Sequence, residues 1–141
     1  MRLWDKNLIE VLPREQLVAQ WRELSAIAGA IQKNGTPNHI LVNFVLDYDF
    51  DNFISYAQLV RDEMTRRGYR TMQAVMIKII SLKPDYTTVP FDNIYKDKMT
   101  IDYLQICYWN LYEKFMCGGI SSEDWDKIVV KFNKVMDNYE N

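Results

Sequence analysis

The sequence predicts a single, compact all-α domain of about five helices that ends in a helical hairpin. The chain has 141 residues, which is the length of one domain with one hydrophobic core. Apolar residues make up 48% of the chain and charged residues 26%, an ordinary composition for a globular protein. The apolar residues recur mostly with the 3.6-residue period of amphipathic helices.

Three helices are predicted in the first half of the chain. The first covers Pro13 to about Lys33, because proline is favoured in a first helical turn and an apolar stripe follows it. The second begins at the caps offered by residues 47–51 and ends at Gly68, and the third covers about residues 71–81. Residues 40–46 fit either a short strand or a buried helical turn. The stripe of the first helix consists of Leu17, Trp21, Leu24, Ala28 and Ile31.

Two further helices are predicted in the second half of the chain. Thr100 can cap the fourth helix, and the glycines within residues 117–119 end it. Residues 121–124 resemble a capping box and begin the fifth helix. We therefore predict a core over residues 1–82, followed by a linker and a C-terminal helical hairpin over residues 83–141.

Composition also limits the classes of function. No apolar run approaches the roughly 18–20 residues that a membrane span needs, and no apolar signal-peptide segment follows the N-terminus. The two cysteines form no CxxC pair, so a reducing, cytoplasmic location is expected. His39 is the only histidine, which excludes a zinc site built from several histidines, and no metal site is expected.

Charge is unevenly distributed along the chain. The net charge is −2, which argues against broad, non-specific binding of nucleic acid. Residues 1–83 contain 11 Lys and Arg against 9 Asp and Glu, a net charge of +2, whereas residues 84–141 contain 6 against 10, a net charge of −4. A phosphate-binding face is therefore expected in the first half, and the second half is a scaffold or a surface for a protein partner. The arginines of the first half include Arg14, Arg22, Arg61, Arg66, Arg67 and Arg70.

Glu23 is the most informative single residue of the first predicted helix. On a helix it is bordered by Ala19, Ala26 and Ala30, which are spaced to lie on the same side. Small residues beside a carboxylate leave room for a substrate. They also allow another helix to pack closely, with Glu23 pairing or capping there, and the pattern alone leaves both interpretations open.

Four short motifs resemble a known family. Leu17 to Ala30, with Arg22-Glu23-Leu24 and Gly29-Ala30, is similar without a gap to the catalytic helix of the pyrimidine-dimer DNA glycosylase/AP-lyase family, at the same distance from the start. Met1-Arg2-Leu3-Trp4, the run His39 to Phe44, and Arg66-Arg67-Gly68-Tyr69 resemble the bacterial members. The resemblance covers about residues 1–80, which would form a glycosylase-like catalytic core.

The resemblance implies a chemistry that needs neither a metal nor an organic cofactor. In this family the α-amino group of the chain attacks the sugar, expels the base and forms a Schiff base, and a helix glutamate assists β-elimination. An α-amine has an unperturbed pKa of about 7.7–8.0, so part of it is neutral and nucleophilic near neutral pH. By resemblance, Met1 and Glu23 would be catalytic, and Arg2, Arg22 and His39 would bind double-stranded DNA with a damaged or abasic site. Arg22 would contact phosphate.

Departures from the family pattern support a second hypothesis. Residue 2 is arginine, so Met1 is expected to be retained, and its amine lies one residue further out than in the family's type enzyme. Gln16 and Ala26 replace a histidine and a second arginine of the catalytic helix. The alternative function is a non-catalytic module of the same fold that binds nucleic acid or protein, with a protein partner for the C-terminal half.

Overall fold

All of the described secondary structure is helical. A computed structural model describes residues 1–140, with side chains described through residue 139, and this part of the chain contains no strand. The five α-helices are α1 (Arg14–Asn34), α2 (Phe50–Arg66), α3 (Gln73–Ile80), α4 (Ile101–Met116) and α5 (Ser122–Glu140). Three short 3-10 helices cover Lys6–Val11, Asn43–Asp47 and Phe91–Asn93. The all-α prediction is confirmed.

Local signals in the sequence explain where α1 begins and ends. Pro13 precedes the first residue, and its carbonyl accepts a hydrogen bond from Leu17 N at 3.0 Å. Gly35 follows the last residue with φ of 76°, a left-handed conformation that glycine adopts without steric cost. The prediction of a helix from Pro13 to about Lys33 is therefore correct to within one residue.

The connection between α1 and α2 contains residues 40–46, for which the sequence left two alternatives open. Part of residues 40–46 forms the 3-10 helix Asn43–Asp47, so the strand alternative is wrong. The helical alternative is correct, but the turn is not fully buried as predicted, since Ile40, Leu41 and Leu46 are exposed. Asp49 then caps α2, since its carboxylate accepts a hydrogen bond from Asp51 N at 2.9 Å. Gly68, with φ of 82°, follows the end of α2 and turns the chain toward α3.

The C-terminal hairpin, formed by α4 and α5, is part of the main hydrophobic core. Aromatic side chains stack between its two helices, with the rings of Tyr108 and Phe132 centred 3.8 Å apart. Helix α5 also packs on the 3-10 helix Lys6–Val11, where Lys131 forms an ion pair with Glu10. Buried residues of residues 1–82 and of the hairpin thus belong to one continuous cluster.

One property of the helices bears on membranes. In residues 1–140, none of them combines the length and the apolar character that crossing a bilayer demands.

The shared core predicts that the whole chain unfolds as one unit. Leu104 on α4 is fully buried, whereas Ile106 on the same helix is 51% exposed. We expect Leu104→Ala to lower the free energy of unfolding by about 2–5 kcal/mol, because it leaves a cavity in the common core. Ile106→Ala is the matched control and should change it by no more than about 0.5 kcal/mol.

Urea unfolding followed by circular dichroism and by tryptophan fluorescence measures this difference. Coincident transitions that shift together in Leu104→Ala are expected. Two separate transitions, with only one displaced, would show that the C-terminal hairpin folds independently of residues 1–82.

Candidate active site

The first five residues, called here the N-terminal segment, are anchored through consecutive backbone carbonyls. Three side chains donate these hydrogen bonds, and each comes from a different helix, so the segment lies where α1, α2 and α4 meet. The donors and acceptors are Gln20 Nε2 to Arg2 O at 3.0 Å, the Tyr103 hydroxyl to Leu3 O, and the Tyr56 hydroxyl to Trp4 O at 2.6 Å. Buried backbone polar groups need such partners, and here side chains supply them.

Gln20 on α1 is the centre of this anchoring. Its side chain is fully buried, and its Oε1 accepts a hydrogen bond from Trp4 N at 2.8 Å. Its Nε2 donates both to Arg2 O and, at 3.4 Å, to Oε2 of Glu23. The Arg2 carbonyl and the Glu23 carboxylate are therefore bound to the same amide nitrogen. An amide is suited to this position because it offers two donors and an acceptor in one plane.

The two predicted catalytic residues are both connected to this amide, Met1 through its neighbour Arg2 and Glu23 directly. Met1 directly precedes the anchored Arg2 and is 44% exposed, so solvent reaches the start of the chain. Glu23 is half-buried, one turn beyond Gln20 on α1. The structure thus brings the segment that carries the α-amine close to the carboxylate.

Arg2 packs against the protein. Its guanidinium lies 5.5 Å from the centre of the Trp4 ring, and the side chain is half-buried. Arg2 also lies near Cys107 on α4, which is fully buried. Burial raises the pKa of this thiol to about 11, although the Asp5 backbone N–H and Arg2 act in the opposite direction. Cys107 follows Tyr103 by one turn of α4, and the Tyr103 hydroxyl holds Leu3 O, so the N-terminal segment borders this thiol.

Arg22 is exposed and lines a cleft of about 500 Å³, called here the Arg22 cleft. One wall is the N-terminal half of α1, including Arg14 and Gln16, and the other is the α4–α5 connection around Ile120. The Oε1 atom of Gln16 is buried and has no hydrogen-bond partner among the described residues. The residue that replaces the family's histidine thus borders a cleft beside Arg22.

His39 stabilises its own loop. Its backbone N–H donates to Oδ1 of Asn43 at 2.9 Å, and its Nδ1 accepts from Leu41 N at 3.3 Å. The hydrogen bonds described for His39 stay within residues 39–43 and do not join it to Gln20 or Glu23. The structure therefore does not place His39 in the hydrogen-bonded group around the N-terminal segment.

Two arginines from the first half of the chain form ion pairs within the protein. Arg66 and Arg67 both pair with Glu63, which is buried on α2, and Arg67 Nη1 donates to Leu12 O at 2.8 Å. Burial opposes ionisation of Glu63, but the hydrogen bonds from the two arginines outweigh it and lower the pKa of the carboxyl. In the sequence, the two arginines follow Glu63 by three and four residues, and this spacing on a helix indicates ion pairs with that carboxylate.

Gln20 is the residue that sequence reasoning missed. It lies between Leu17 and Leu24 on the apolar stripe of α1, where a polar side chain needs a buried partner. A glutamine at this position therefore indicates a side chain that forms buried hydrogen bonds with the rest of the fold. Its partner Tyr56, and Tyr103, which binds Leu3 O, are distant in sequence, and no local pattern predicted their roles.

The described side chains contain no group of three or more His, Cys, Asp or Glu that could hold a metal ion. The groups that the site offers for chemistry are a chain terminus, a carboxylate and an exposed guanidinium.

Comparison with protein families identifies the first half of the chain. A family model described as pyrimidine dimer DNA glycosylase matches residues 1–76, more than half of the chain. The chain belongs to the pyrimidine dimer DNA glycosylase family. The resemblance drawn from the sequence is confirmed, and membership indicates a DNA repair glycosylase that acts on damaged DNA.

The matched residues of this glycosylase contain the N-terminal segment, α1, α2 and the first part of α3. The C-terminal hairpin lies outside the match, although its Tyr103 anchors Leu3. Comparisons with curated proteins and with solved structures gave no match.

The anchoring by Gln20 can be tested with Cys107 as a reporter. In a Cys117→Ser background Cys107 is the only thiol, and it should react slowly with iodoacetamide at about pH 8, because it is buried and mostly protonated. Gln20→Ala removes the hydrogen bonds to Arg2 and Trp4, which cover this region. We expect alkylation on the order of tenfold faster, from the loss of about 1–3 kcal/mol of buried hydrogen bonding.

Gln16→Ala is the matched control, since it changes a glutamine one turn earlier whose Oε1 lacks a partner. It should leave the alkylation rate unchanged. Both variants must keep the helical circular dichroism of the parent. An unchanged rate in Gln20→Ala would contradict the anchoring role of Gln20.

Proposed function

We propose that the protein is a DNA glycosylase with AP-lyase activity, in which the α-amine of Met1 is the nucleophile and Glu23 is the acid/base. The observation that carries the proposal is the Gln20 amide, which is hydrogen-bonded to both the Arg2 carbonyl and the Glu23 carboxylate. Family membership supplies the glycosylase class and damaged DNA as the substrate. The finer mechanism rests on the geometry of the N-terminal segment.

In the first step the neutral amine of Met1 attacks C1′ of the damaged nucleotide. The bond between C1′ and the base breaks, and its electron pair leaves with the base, which takes up a proton. Loss of a proton from nitrogen and opening of the sugar ring give a protonated Schiff base. The Glu23 carboxylate stabilises the positive charge that develops at C1′.

In the second step the Glu23 carboxylate removes a proton from C2′. The electrons of that C–H bond form a double bond between C2′ and C3′, and the C3′–O bond breaks to release the 3′ phosphate. Water then hydrolyses the Schiff base and returns the free amine. A positioned carboxylate typically contributes about 10²–10⁴-fold to such proton transfers.

Anchoring of residues 2–4 prepares the amine for this attack. The three carbonyl hydrogen bonds hold the backbone up to Arg2, so the nucleophile is one residue from a fixed point. Holding a reactant in place removes much of the entropic cost of a bimolecular step. Met1 lies before the three anchored carbonyls and is exposed, so the anchoring leaves room for its side chain.

DNA contacts are assigned to the exposed side of the site. Arg22 is exposed and suited to a bidentate contact with a phosphate. Arg2 and His39 are assigned secondary contacts, with the half-buried Arg2 side chain and Nε2 of His39 as donors. Damaged bases stack and pair less well, so extruding one toward Met1 costs less than extruding a normal base.

The role of Glu23 is tested by single-turnover cleavage of a duplex that contains one abasic site. We expect Glu23→Gln to slow strand cleavage by about 10²–10⁴-fold, because the amide cannot remove the C2′ proton. Glu113→Gln is the matched control, since Glu113 is an exposed glutamate on another helix, α4, and does not line the Arg22 cleft. It should cleave at the rate of the parent.

Thermal melts of both variants check that folding is intact. A fully active, folded Glu23→Gln variant would contradict the assignment of Glu23. A parent protein that binds the duplex without cleaving it would favour the non-catalytic module.

A further inference from the structure

A second cleft lies between α5 and the segment that leads into α4. Its volume is about 530 Å³, which is in the range of sites for small ligands. Four lysines line it together with one acidic residue, Asp92. These lysines define what we call the lysine cleft: Lys6, Lys96, Lys131 and Lys134.

The lysine cleft is rich in lysine, although the half of the chain that supplies most of its lining is acidic. Residues 84–141 carry a net charge of −4, yet three of their six lysines line this one cleft. Lys131 is neutralised by its ion pair with Glu10. Lys96 and Lys134 are exposed, and the described ion pairs include neither of them. Lys96 and Lys134 therefore add positive charge to the cleft, where Asp92 is the one carboxylate among the described lining residues.

Lys6 forms a rigid, charged part of the cleft wall. Only 6% of the residue is exposed, and its Nζ donates to Ile94 O at 2.7 Å and to Asp92 O at 3.2 Å. An ammonium group has three donors, and the described hydrogen bonds use two. Burial lowers the pKa of Lys6, although the negative charges of Asp5 and Asp92 act in the opposite direction. An anion in the cleft would add to the stabilisation that these two carboxylates give the ammonium group.

Two aromatic side chains complete the lining. Phe91 is 41% exposed and Tyr139 is 49% exposed, so both present ring surface to the cleft. The Lys6 Nζ lies 5.5 Å from the centre of the Phe91 ring. Ammonium groups beside exposed aromatic rings match a nucleotide, whose phosphate is anionic and whose base stacks on aromatic faces.

We infer that the lysine cleft binds the phosphate group of a nucleotide, with Lys6, Lys96 and Lys134 around the phosphate and Phe91 or Tyr139 against the base. The cleft lies almost entirely outside the matched residues 1–76. The phosphate has two possible sources, a free nucleotide or the backbone of a bound DNA strand. The second source is attractive because Lys6 directly follows the anchored N-terminal segment.

The experiment compares two double variants of equal charge. Lys96→Gln with Lys134→Gln removes the two exposed ammonium groups of the lysine cleft. Lys114→Gln with Lys127→Gln is the matched control, since these two exposed lysines of the same half do not line it. Thermal melts confirm that both variants are folded.

Calorimetry with thymidine 5′-monophosphate, and with thymidine as the ligand that lacks phosphate, tests the free nucleotide. If the lysine cleft binds the free nucleotide, the parent should bind the monophosphate but not thymidine. The variant with Lys96→Gln and Lys134→Gln, called the cleft variant, should then bind the monophosphate about tenfold more weakly or not at all. The control variant should bind it as the parent does. The salt dependence of binding to a short undamaged duplex tests the DNA backbone. If the cleft binds the DNA backbone, the magnitude of the slope of log K against log salt concentration should be smaller by about 1–2 in the cleft variant, and it should be unchanged in the control variant.

Either result supports the lysine cleft as a phosphate site and identifies the source. The inference is overturned if the cleft variant matches the parent in both measurements, or if the control loses as much as the cleft variant. Both measurements report binding and not catalysis, so this inference can be tested even if the protein has no lyase activity.

Discussion

The structure depends on the burial of the N-terminal segment and on the side chains that bind its backbone. A stretch of non-helical backbone inside a helical core carries polar groups that no helix satisfies. Here Gln20, Tyr56 and Tyr103 supply the missing donors from α1, α2 and α4. The segment therefore fixes three helices relative to one another, and those helices fix the segment.

In the proposed mechanism, this mutual constraint is what positions the amine of Met1. Termini are usually among the most mobile parts of a domain, and a mobile amine would react slowly with a sugar. Anchoring at Arg2 leaves only Met1 beyond the fixed backbone, and Gln20 links the same point to Glu23. In the proposed mechanism one buried amide thus positions the nucleophile and the acid/base together.

The C-terminal hairpin contributes to the same arrangement. Although it lies outside the family match, its Tyr103 binds Leu3 and its buried Cys107 lies near Arg2 and Asp5. The hairpin also forms one wall of the Arg22 cleft, and its helix α5 forms one side of the lysine cleft. The hairpin is therefore part of the scaffold that holds the N-terminal segment in place, and it borders both clefts.

Local signals allowed the helices to be predicted from the sequence. Caps and glycines such as Asp49, Gly35 and Gly68 act within a few residues, so the ends of α1 and α2 were predicted to within about two residues. The alanines around Glu23 and the family resemblance pointed to Glu23, and the resemblance assigned Arg22 to phosphate; the catalytic and binding roles of both stay predictions.

Other features depend on residues far apart in the chain. Tyr103 and Leu3 are separated by 100 positions, and the lysine cleft combines Lys6 with residues of α5. No local pattern contains such pairings. His39 shows the converse, because its motif resembled the family while its described hydrogen bonds are those of a loop cap.

The central claim is that the amine of Met1 forms the Schiff base, and borohydride trapping tests it most directly. The protein, with no residues added before Met1, is mixed with a duplex containing one abasic site and reduced, and mass spectrometry locates the adduct. The account predicts an adduct on the Met1 α-amine that disappears when this amine is acetylated. An adduct on a lysine, or none from a folded protein that binds the duplex, would contradict it.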